Sequence, residues 1–549
     1  MALGTLALSQ LRFASAQQPL PLKHAGKPTQ PSITTADLMT RLYIFADDSM
    51  MGRSAGTPGG MKGTAYIERE VRRIGLVPAG DNGTSFQAIP LYTRSFDPAS
   101  NLTVNGKPLV GGTDYFALHN GGTPRSLNGA KVIFAGNAAD PSTLIPAPQA
   151  AGKVVLVSGL STGMGNRYPQ ALGFIAIVPA QQVPLYQRFS ASTSTTMRGE
   201  GDTASTQIAL AIPEASAQAF LGVPLVNARP GTIGATLGGD VLWKIADAPA
   251  RNVVAILPGS DPKLRNQYVA IGAHNDHVGI RRAGAVDHDS LRAFNREAEK
   301  IFVARTGHLP SVPGSGLTPD ERASIKVNTD SIRRGRQARM DSIYNGADDD
   351  GSGSMAVLEI AENFAAMRVK PKRSLLFVWH TGEELGLFGA EYFTDHPTVP
   401  RDSIVAQLNV DMIGRGDTGD IPGGNPGYLQ LIGSRRLSTE LGDIVESVNT
   451  SGRHGFTFDY QFDADGHPEN YYCRSDHYEY ARYGIPVVFM STGDHVDYHQ
   501  LTDEPQYISY PHLARVTSFL GDVAAHVANL NHRVVVDKPK PDPKGSCRQ

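Results

Sequence analysis

Apolar runs without alternation mark the second half of the chain. They are NVVAILPG (252–259), YVAIGAH (268–274), SLLFVWH (374–380), IVAQLNVDMIG (404–414) and IPVVFMSTG (485–493). Such runs suit strands buried on both faces. Each ends in Gly, Pro or a small polar turn, and helix-period segments at 352–367 and 510–530 lie among them. Strand–helix alternation of this kind predicts an α/β fold, an αβα sandwich around a mixed, mainly parallel sheet. The first half reads differently. KVIFAG (131–136), KVVLVSG (153–159), FIAIVPA (174–180) and QIALAIP (207–213) follow one another with few helices between them, which predicts a separate β-rich domain. Upstream, Thr34 or Thr35 caps a helix, a Gly/Pro loop fills 52–60, and an amphipathic helix lies near 61–74. The predicted organisation is a signal-like segment and linker (1–30), an N-terminal part of the main domain (31–125), an inserted β-rich domain (126–245) and the main α/β domain (246–535). Residues 281–343 form a helical insertion within the main domain, and 536–549 form a polar tail whose composition reads as disordered.

The stretch FVWHTGEELGLFGAEYF (377–393) concentrates the chemistry. An apolar strand stops at a polar turn, two adjacent carboxylates follow, and then comes a Gly-rich segment that reads as a helix. In open α/β sheets the site lies at the carboxyl ends of the strands. On such a turn Glu383 and Glu384 face different ways, so one can hold a metal while the other faces a water. Four more strand ends carry ligand-type residues beside turn residues: AHNDHVG (273–279), NGADDDGSG (345–353), NVDMIG (409–414) and DYHQLTD (497–503). Two His and three carboxylates suffice for two Zn²⁺ ions that share a bridging carboxylate. A further Glu off the metal would be a general base. Residue chemistry alone leaves the choice among Asp348, Asp349 and Asp350 open.

Bulk properties narrow the field. The chain has 549 residues, 40% hydrophobic and 19% charged, which fits a core-forming protein of more than one domain. A net charge of −2 gives no reason to expect nucleic acid as a partner. No apolar run is long enough for a membrane span. With only Cys473 and Cys547 present, a metal must be held by His and carboxylates. Nothing in the sequence argues that these two cysteines pair. A short apolar N-terminal stretch ends in Ala14-Ser15-Ala16, a small-residue pattern of the kind that precedes signal cleavage, so a secreted or periplasmic location is expected.

The motifs AHNDHVG, GADDDGSG, TGEELGLFGAEYF, NVDMIG, RSDHYEYARYGIPVVF and DYHQLTDE, spread over 251–530, together resemble the co-catalytic zinc aminopeptidase family of clan MH. That family includes bacterial leucyl aminopeptidases, glutamate carboxypeptidase and the transferrin receptor. The leading DDSMMGRSAGTPGG (47–60) resembles members that carry an inserted protease-associated domain, which fits the β-rich segment in position. The resemblance implies a zinc exopeptidase fold and two Zn²⁺ per chain. It implies that His274 and Asp411 hold one zinc, that Glu384 and His499 hold the other, and that Asp349 bridges them. It also implies Glu383 as general base, Asp276 as acceptor for the second imidazole nitrogen of His274, and Tyr498 as donor to the developing oxyanion. The expected activity is removal of N-terminal residues from a peptide substrate. The competing readings are a one-zinc glutaminyl cyclase-like enzyme and a non-catalytic, receptor-type binding protein. His277, His380, His477 and His495 stand near the motifs and receive no direct role. The insertion at 281–343, rich in arginine, is expected on the surface as a rim or lid, because it leaves and returns beside two candidate ligands.

Overall fold

The computed structural model describes residues 20–118, 123–159, 163–199, 205–333 and 335–549. The signal-like segment of the sequence reading therefore lies, over 1–19, outside the described residues, as does Arg334 of the insertion. The chain divides into two compact units. Among the described residues, one comprises those of 20–54, 58–87 and 252–549, and the other those of 55–57 and 88–251.

The larger unit is built on a nine-stranded sheet. Its strands are β1 (Val77–Pro78), β2 (Ala250–Leu257), β3 (Tyr268–His274), β4 (Ser374–His380), β5 (Ile404–Val410), β6 (Tyr428–Ile432), β7 (Thr457–Asp459) and β8 (Val487–Ser491). Their order is β1-β2-β4-β3-β5-β8-β6-β7, and Phe86–Ile89 pairs with β2 off this path. The four central strands β4, β3, β5 and β8 are parallel. β1 and β2 join antiparallel on one side, and β6 joins antiparallel to β8 on the other. Every residue of β4, β5 and β8 is buried. Alternate side chains feed two different cores. Leu375, Phe377 and Trp379 join the cluster formed with Leu38, Leu42, Met355, Leu358 and Phe519, while Leu376 and Val378 join the cluster formed with Phe393, Tyr478 and Tyr480. This two-sided burial is why the strands read as unbroken apolar runs, and it makes the unit an αβα sandwich.

Helices α1 (Thr35–Phe45), α2 (Pro58–Ile74), α3 (His288–Thr306), α4 (Gly353–Ala366), α5 (Phe388–Asp395), α6 (Thr439–Ser451) and α7 (Tyr510–Asn529) complete the unit. α1 starts where Thr34 Oγ1 accepts from Asp37 N at 3.1 Å. α6 starts where Ser438 Oγ accepts from Leu441 N at 3.0 Å. Each cap satisfies an amide that the helix itself cannot. Phe377 is fully buried, so Phe377→Ala would cost about 3–5 kcal/mol.

The second unit has its own eight-stranded sheet. Lys131–Asn137, Val154–Ser158, Gly173–Val178 and Ile208–Pro213 are its parallel centre. Short strands from 103–118 and 233–238 flank them antiparallel. Its span, 88–251, is wider than the 126–245 drawn from the strand runs, because two- and three-residue strands such as Thr103–Val104 and Phe116–Leu118 are too short to show a period.

The polar tail is not loose. Cys547 is disulfide-bonded to Cys473. Gln549 Oε1 accepts from Tyr472 N at 2.9 Å, and the Gln549 carbonyl accepts from Gly466 N at 3.1 Å. A composition of Lys, Pro and Asp gave no sign of this anchoring, which is covalent and depends on one residue.

Candidate metal centre

β3, β4, β5 and β8 all point their C-terminal ends at one place. β3 lies between β4 and β5, so the loops after β4 and β5 diverge on either side of it and leave a crevice. His274 is the last residue of β3, and Asp411 follows β5 directly. Glu383 and Glu384 follow β4 across the turn Thr381-Gly382, where Gly382 has φ 89°. That backbone is open to Gly without strain.

The acidic loop 348–350 sorts its three carboxylates by hydrogen bonding. Asp348 Oδ1 accepts from Gly414 N at 2.6 Å. Asp350 accepts from His274 N at 3.1 Å, from Gly353 N at 2.9 Å and from Met412 N at 3.3 Å. Asp349 alone turns its carboxylate between imidazoles, with Oδ1 at 3.1 Å from His274 Nε2 and Oδ2 at 3.1 Å from His499 Nε2. Asp503 holds the loop from behind by accepting from the amides of Asp348 and Asp349.

Two donor sets result. His274, Asp349 and Asp411 bring ligand atoms within 4.8 Å of one another, and so do His277, Asp349 and Glu384. His499 joins the second set at 2.9 Å from Glu384 Oε2. Asp349 belongs to both. His277, left without a role in the sequence reading, lies 2.7 Å from Glu384 Oε1 through its Nδ1. Its signal was there to see, three residues past His274 in the same motif. His380, His477 and His495 stay out of these sets. His380 bonds Tyr480, His495 lies 3.1 Å from Asp348, and His477 stacks on Phe489.

The donor chemistry fits a cation pair. No aligned hydrogen bond reaches His274 Nε2, Asp349 Oδ2 or Asp411 Oδ1, although all three are buried. Such atoms are costly unless something charged meets them. The field says the same. Burial opposes protonation of His274, yet Asp411, Asp276 and Asp349 hold its pKa well above the usual value. His499 is lifted to about 11, with Asp349 and Glu384 outweighing burial. Burial, together with Asp411, Glu384 and Asp476, pushes Glu383 well above the carboxylate range. A site that draws protons this strongly is one that draws cations.

The remaining expected residues are close by. Glu383 and Tyr498 line a small cleft with Asp349, Asp411 and His499. Tyr498 Oη accepts from Arg474 Nη2 at 3.2 Å. For Asp276 the nearer partner of His274 Nδ1 is the main-chain carbonyl, at 3.1 Å, rather than the carboxylate, at 3.7 Å. That carboxylate accepts from Glu383 N at 3.2 Å and so ties the β3 loop to the β4 turn.

Arg53 was not singled out in the sequence. It is fully buried and donates to the carbonyls of Phe45, Asn275, Asn345 and Gly346 at 2.6–3.2 Å. One guanidinium thus clamps the loop after His274 to the loop before Asp349. Burial lowers its pKa to about 10, so it remains charged at neutral pH.

The sequence from 295 to 524 matches the model of peptidase family M28. That match covers 230 of the 549 residues, and over it the chain is similar to the family. The M28 region takes in the acidic loop, the Glu pair, Asp411 and His499, while His274 lies before it. The leupeptin-inactivating enzyme 1 of Streptomyces exfoliatus is 31% identical over 159 residues, 28% of this chain and 32% of that one. The leucine aminopeptidase 1 of Arthroderma gypseum is 28% identical over 232 residues, 39% of this chain and 57% of that one. The chain thus spans about a third of the length of the first relative and somewhat over half of the second. Among solved structures, the aminopeptidase from Aneurinibacillus sp. strain AM-1 aligns with this chain at 17% identity and TM-score 0.49, covering 93% of this chain and 97% of that one.

Proposed function

We propose that this chain is a two-zinc exopeptidase of the M28 type that removes N-terminal residues from peptides. The observation that carries the reading is the pair of buried donor sets that share Asp349 at the ends of parallel strands. His274 and Asp411 would hold one Zn²⁺, Glu384 and His499 the other, with Asp349 common to both and His277 beside the second. Zinc bound there would supply a water acidic enough to be deprotonated near neutral pH and a Lewis acid for the scissile carbonyl.

The chain's own residues do the rest. Glu383 faces the cleft without belonging to either donor set, a position that suits a group that takes a proton from water and passes it to the leaving amine. Tyr498 receives a hydrogen bond from Arg474, so its own proton is free to point at the oxyanion that develops on the substrate. Asp276 holds the amide of Glu383 and thereby the turn on which base and ligand sit side by side. The second unit is read as a protease-associated accessory domain. The Cys473–Cys547 disulfide supports export to an oxidising compartment. Among the described residues no helix is long and apolar enough to cross a membrane.

The test is hydrolysis of aminoacyl-nitroanilides together with metal analysis. Turnover lost with a chelator and restored by Zn²⁺, at two zincs per chain, is the expected result. One tightly bound zinc with cyclisation of N-terminal Gln would overturn it, as would a zinc-loaded chain with no turnover on any peptide.

A further inference from the structure

Between β7 and the short helix His477–Ala481 the chain has neither strand nor α-helix, only single turns at Gln461–Asp463 and Tyr471–Cys473. Yet the end of this loop delivers three side chains to the candidate site. Tyr471 lines the cleft with Glu383. Arg474 Nη2 donates to Tyr498 Oη at 3.2 Å. Ser475 Oγ donates to Asp411 Oδ2 at 2.9 Å. A segment without helix or sheet bonds depends on its other ties to hold one shape.

The far side of the Arg474–Tyr498 contact is firmly set. Asp497, next to Tyr498, is fully buried. Arg292 of α3 grips it with two nitrogens at 2.9 Å, Arg415 donates to it at 3.0 Å, and Thr502 Oγ1 donates at 2.7 Å. On the near side, Arg436 Nε donates to Asp463 Oδ1 at 2.6 Å. Further ties come from residues 547 and 549. Cys547 is bonded to Cys473, which stands directly before Arg474. Gln549 meets both arms of the loop. Its Nε2 donates to the carbonyls of Phe462 and Ala464 at 3.0 and 3.2 Å, and its Oε1 accepts from Tyr472 N at 2.9 Å. Both cysteines are half-buried, beside the cluster that contains Tyr471 and Tyr472.

We propose that the Cys473–Cys547 disulfide and Gln549 form a positioning device for the reaction. They set the loop that carries Arg474, and through Arg474 the hydroxyl of Tyr498, so that opening the disulfide slows the chemical step without releasing metal. The inference rests on the exopeptidase reading of the site. Metal should stay because none of the donors His274, His277, Asp349, Glu384, Asp411 and His499 lies on the loop. A contact made to a group that acts only in the transition state shows in kcat rather than in KM. Activity would then follow the redox state of the surroundings.

The test reduces the folded, zinc-loaded, full-length chain with a water-soluble phosphine. The S–S bond breaks, each sulfur leaves as a thiol, and the phosphine is oxidised to its oxide with oxygen and protons from water. Nitroanilide kinetics, zinc content and backbone amide exchange are read before and after. We expect kcat to fall about 10–100-fold with KM within about threefold and zinc unchanged. Oxidised glutathione should restore it by disulfide exchange. Cys547→Ser should match the reduced wild type and ignore the phosphine, and reduced wild type stands in for it should that variant not fold. Gln549→Ala keeps the disulfide and should show a smaller loss in the same direction. In a Tyr498→Phe background, reduction should cost less than about threefold, because the two changes act through one contact. An equal loss in both backgrounds, a loss of zinc, or an unchanged kcat with turnover intact overturns the positioning inference alone. Faster exchange of the Tyr472 and Gly466 amides on reduction, in a chain that hydrolyses no substrate, upholds the hold on the loop and overturns the exopeptidase reading. Unchanged exchange and no turnover overturn both.

Discussion

The larger unit buries two clusters of charge, and they are built on opposite plans. Behind α1, Arg41 is 1% exposed and spends its whole guanidinium on neighbours. Nε donates to Glu359 at 2.8 Å, Nη1 to Glu70 at 3.2 Å, and Nη2 to Glu362 and to Thr29. Arg73 adds a second cation on Glu362 at 2.8 Å. Two guanidinium groups face three carboxylates. At the strand ends, Asp349, Glu384 and Asp411 face imidazoles, with Ser475 Oγ donating to Asp411, and buried ligand atoms are left unmet. In the first cluster all three guanidinium nitrogens of Arg41 are partnered and only Glu359 Oε1 lacks an aligned bond, whereas the second is complete only with a visitor. Buried charge is tolerated in proteins when it is paired, so the open cluster marks where function resides.

The sharpest way to probe the contrast is at the open cluster. Glu383→Gln keeps size and leaves both donor sets intact. We expect kcat to fall about 10²–10⁴-fold with zinc content unchanged, read by nitroanilide kinetics and metal analysis on the same sample. Glu384→Gln should instead lower zinc content. The reverse pattern would exchange the roles given to the pair.

The closed cluster should respond in stability and not in metal. Arg41→Met leaves Glu359 buried with no cation from α1. A loss of about 3–5 kcal/mol in chemical denaturation is expected, with zinc content per folded chain unaltered. A loss of zinc there would show that the two clusters are coupled and that the contrast is false.

A smaller effect is expected at the hinge between insertion and site. Arg292→Ala removes the grip on Asp497 two residues before His499, and about tenfold in metal affinity or activity should go with it. Arg292→Lys keeps the charge but not the fork, and should restore only part. If Arg292→Ala matches wild type in both readouts, the insertion does not support the metal loop.

The smallest effect is in pH. Burial tends to raise the Glu362 pKa, but Arg73, Thr29 and Arg41 outweigh it and hold the value below the usual one. A depressed carboxylate contributes stability above its unfolded value of about 4.3 and loses it as pH falls through the folded one. The stability gap between wild type and Glu362→Gln should therefore be open at pH 6 and close as the pH drops below about 4. A gap that widens on acidification would contradict the pairing.

Much of the sandwich could be read without coordinates because its central strands are buried on both faces. SLLFVWH and IVAQLNV have no polar alternation to confuse the period. The strand-end motifs were equally visible, since ligand residues beside turns are local. What stayed hidden was non-local or lacked a pattern. Arg53 works by donating to four carbonyls drawn from three separate segments, and main-chain acceptors leave no trace in side-chain spacing. The partner of Cys547 could not be deduced, because 74 residues separate it from Cys473 and nothing in a Pro/Lys-rich tail announces a docking place. His277 was overlooked for another reason. It sits beside His274 in one motif, and a loop that reverses after a strand can aim both rings at one point.

Arg53 and α1 come from the first tenth of the chain, while α7 of the same core ends at Asn529. The second unit, unbroken from 88 to 251 but for three residues, is emitted between them. On the ribosome it can fold as soon as Arg251 has cleared the tunnel. The segments that precede it must then wait for another 278 residues, which at 5–20 residues per second is roughly 14–56 s. During that interval Leu38, Leu42 and Phe45 gain their α4 partners only after 115 residues and their α7 partners only at its end, and the nascent chain presents an apolar helix to whatever chaperone is near.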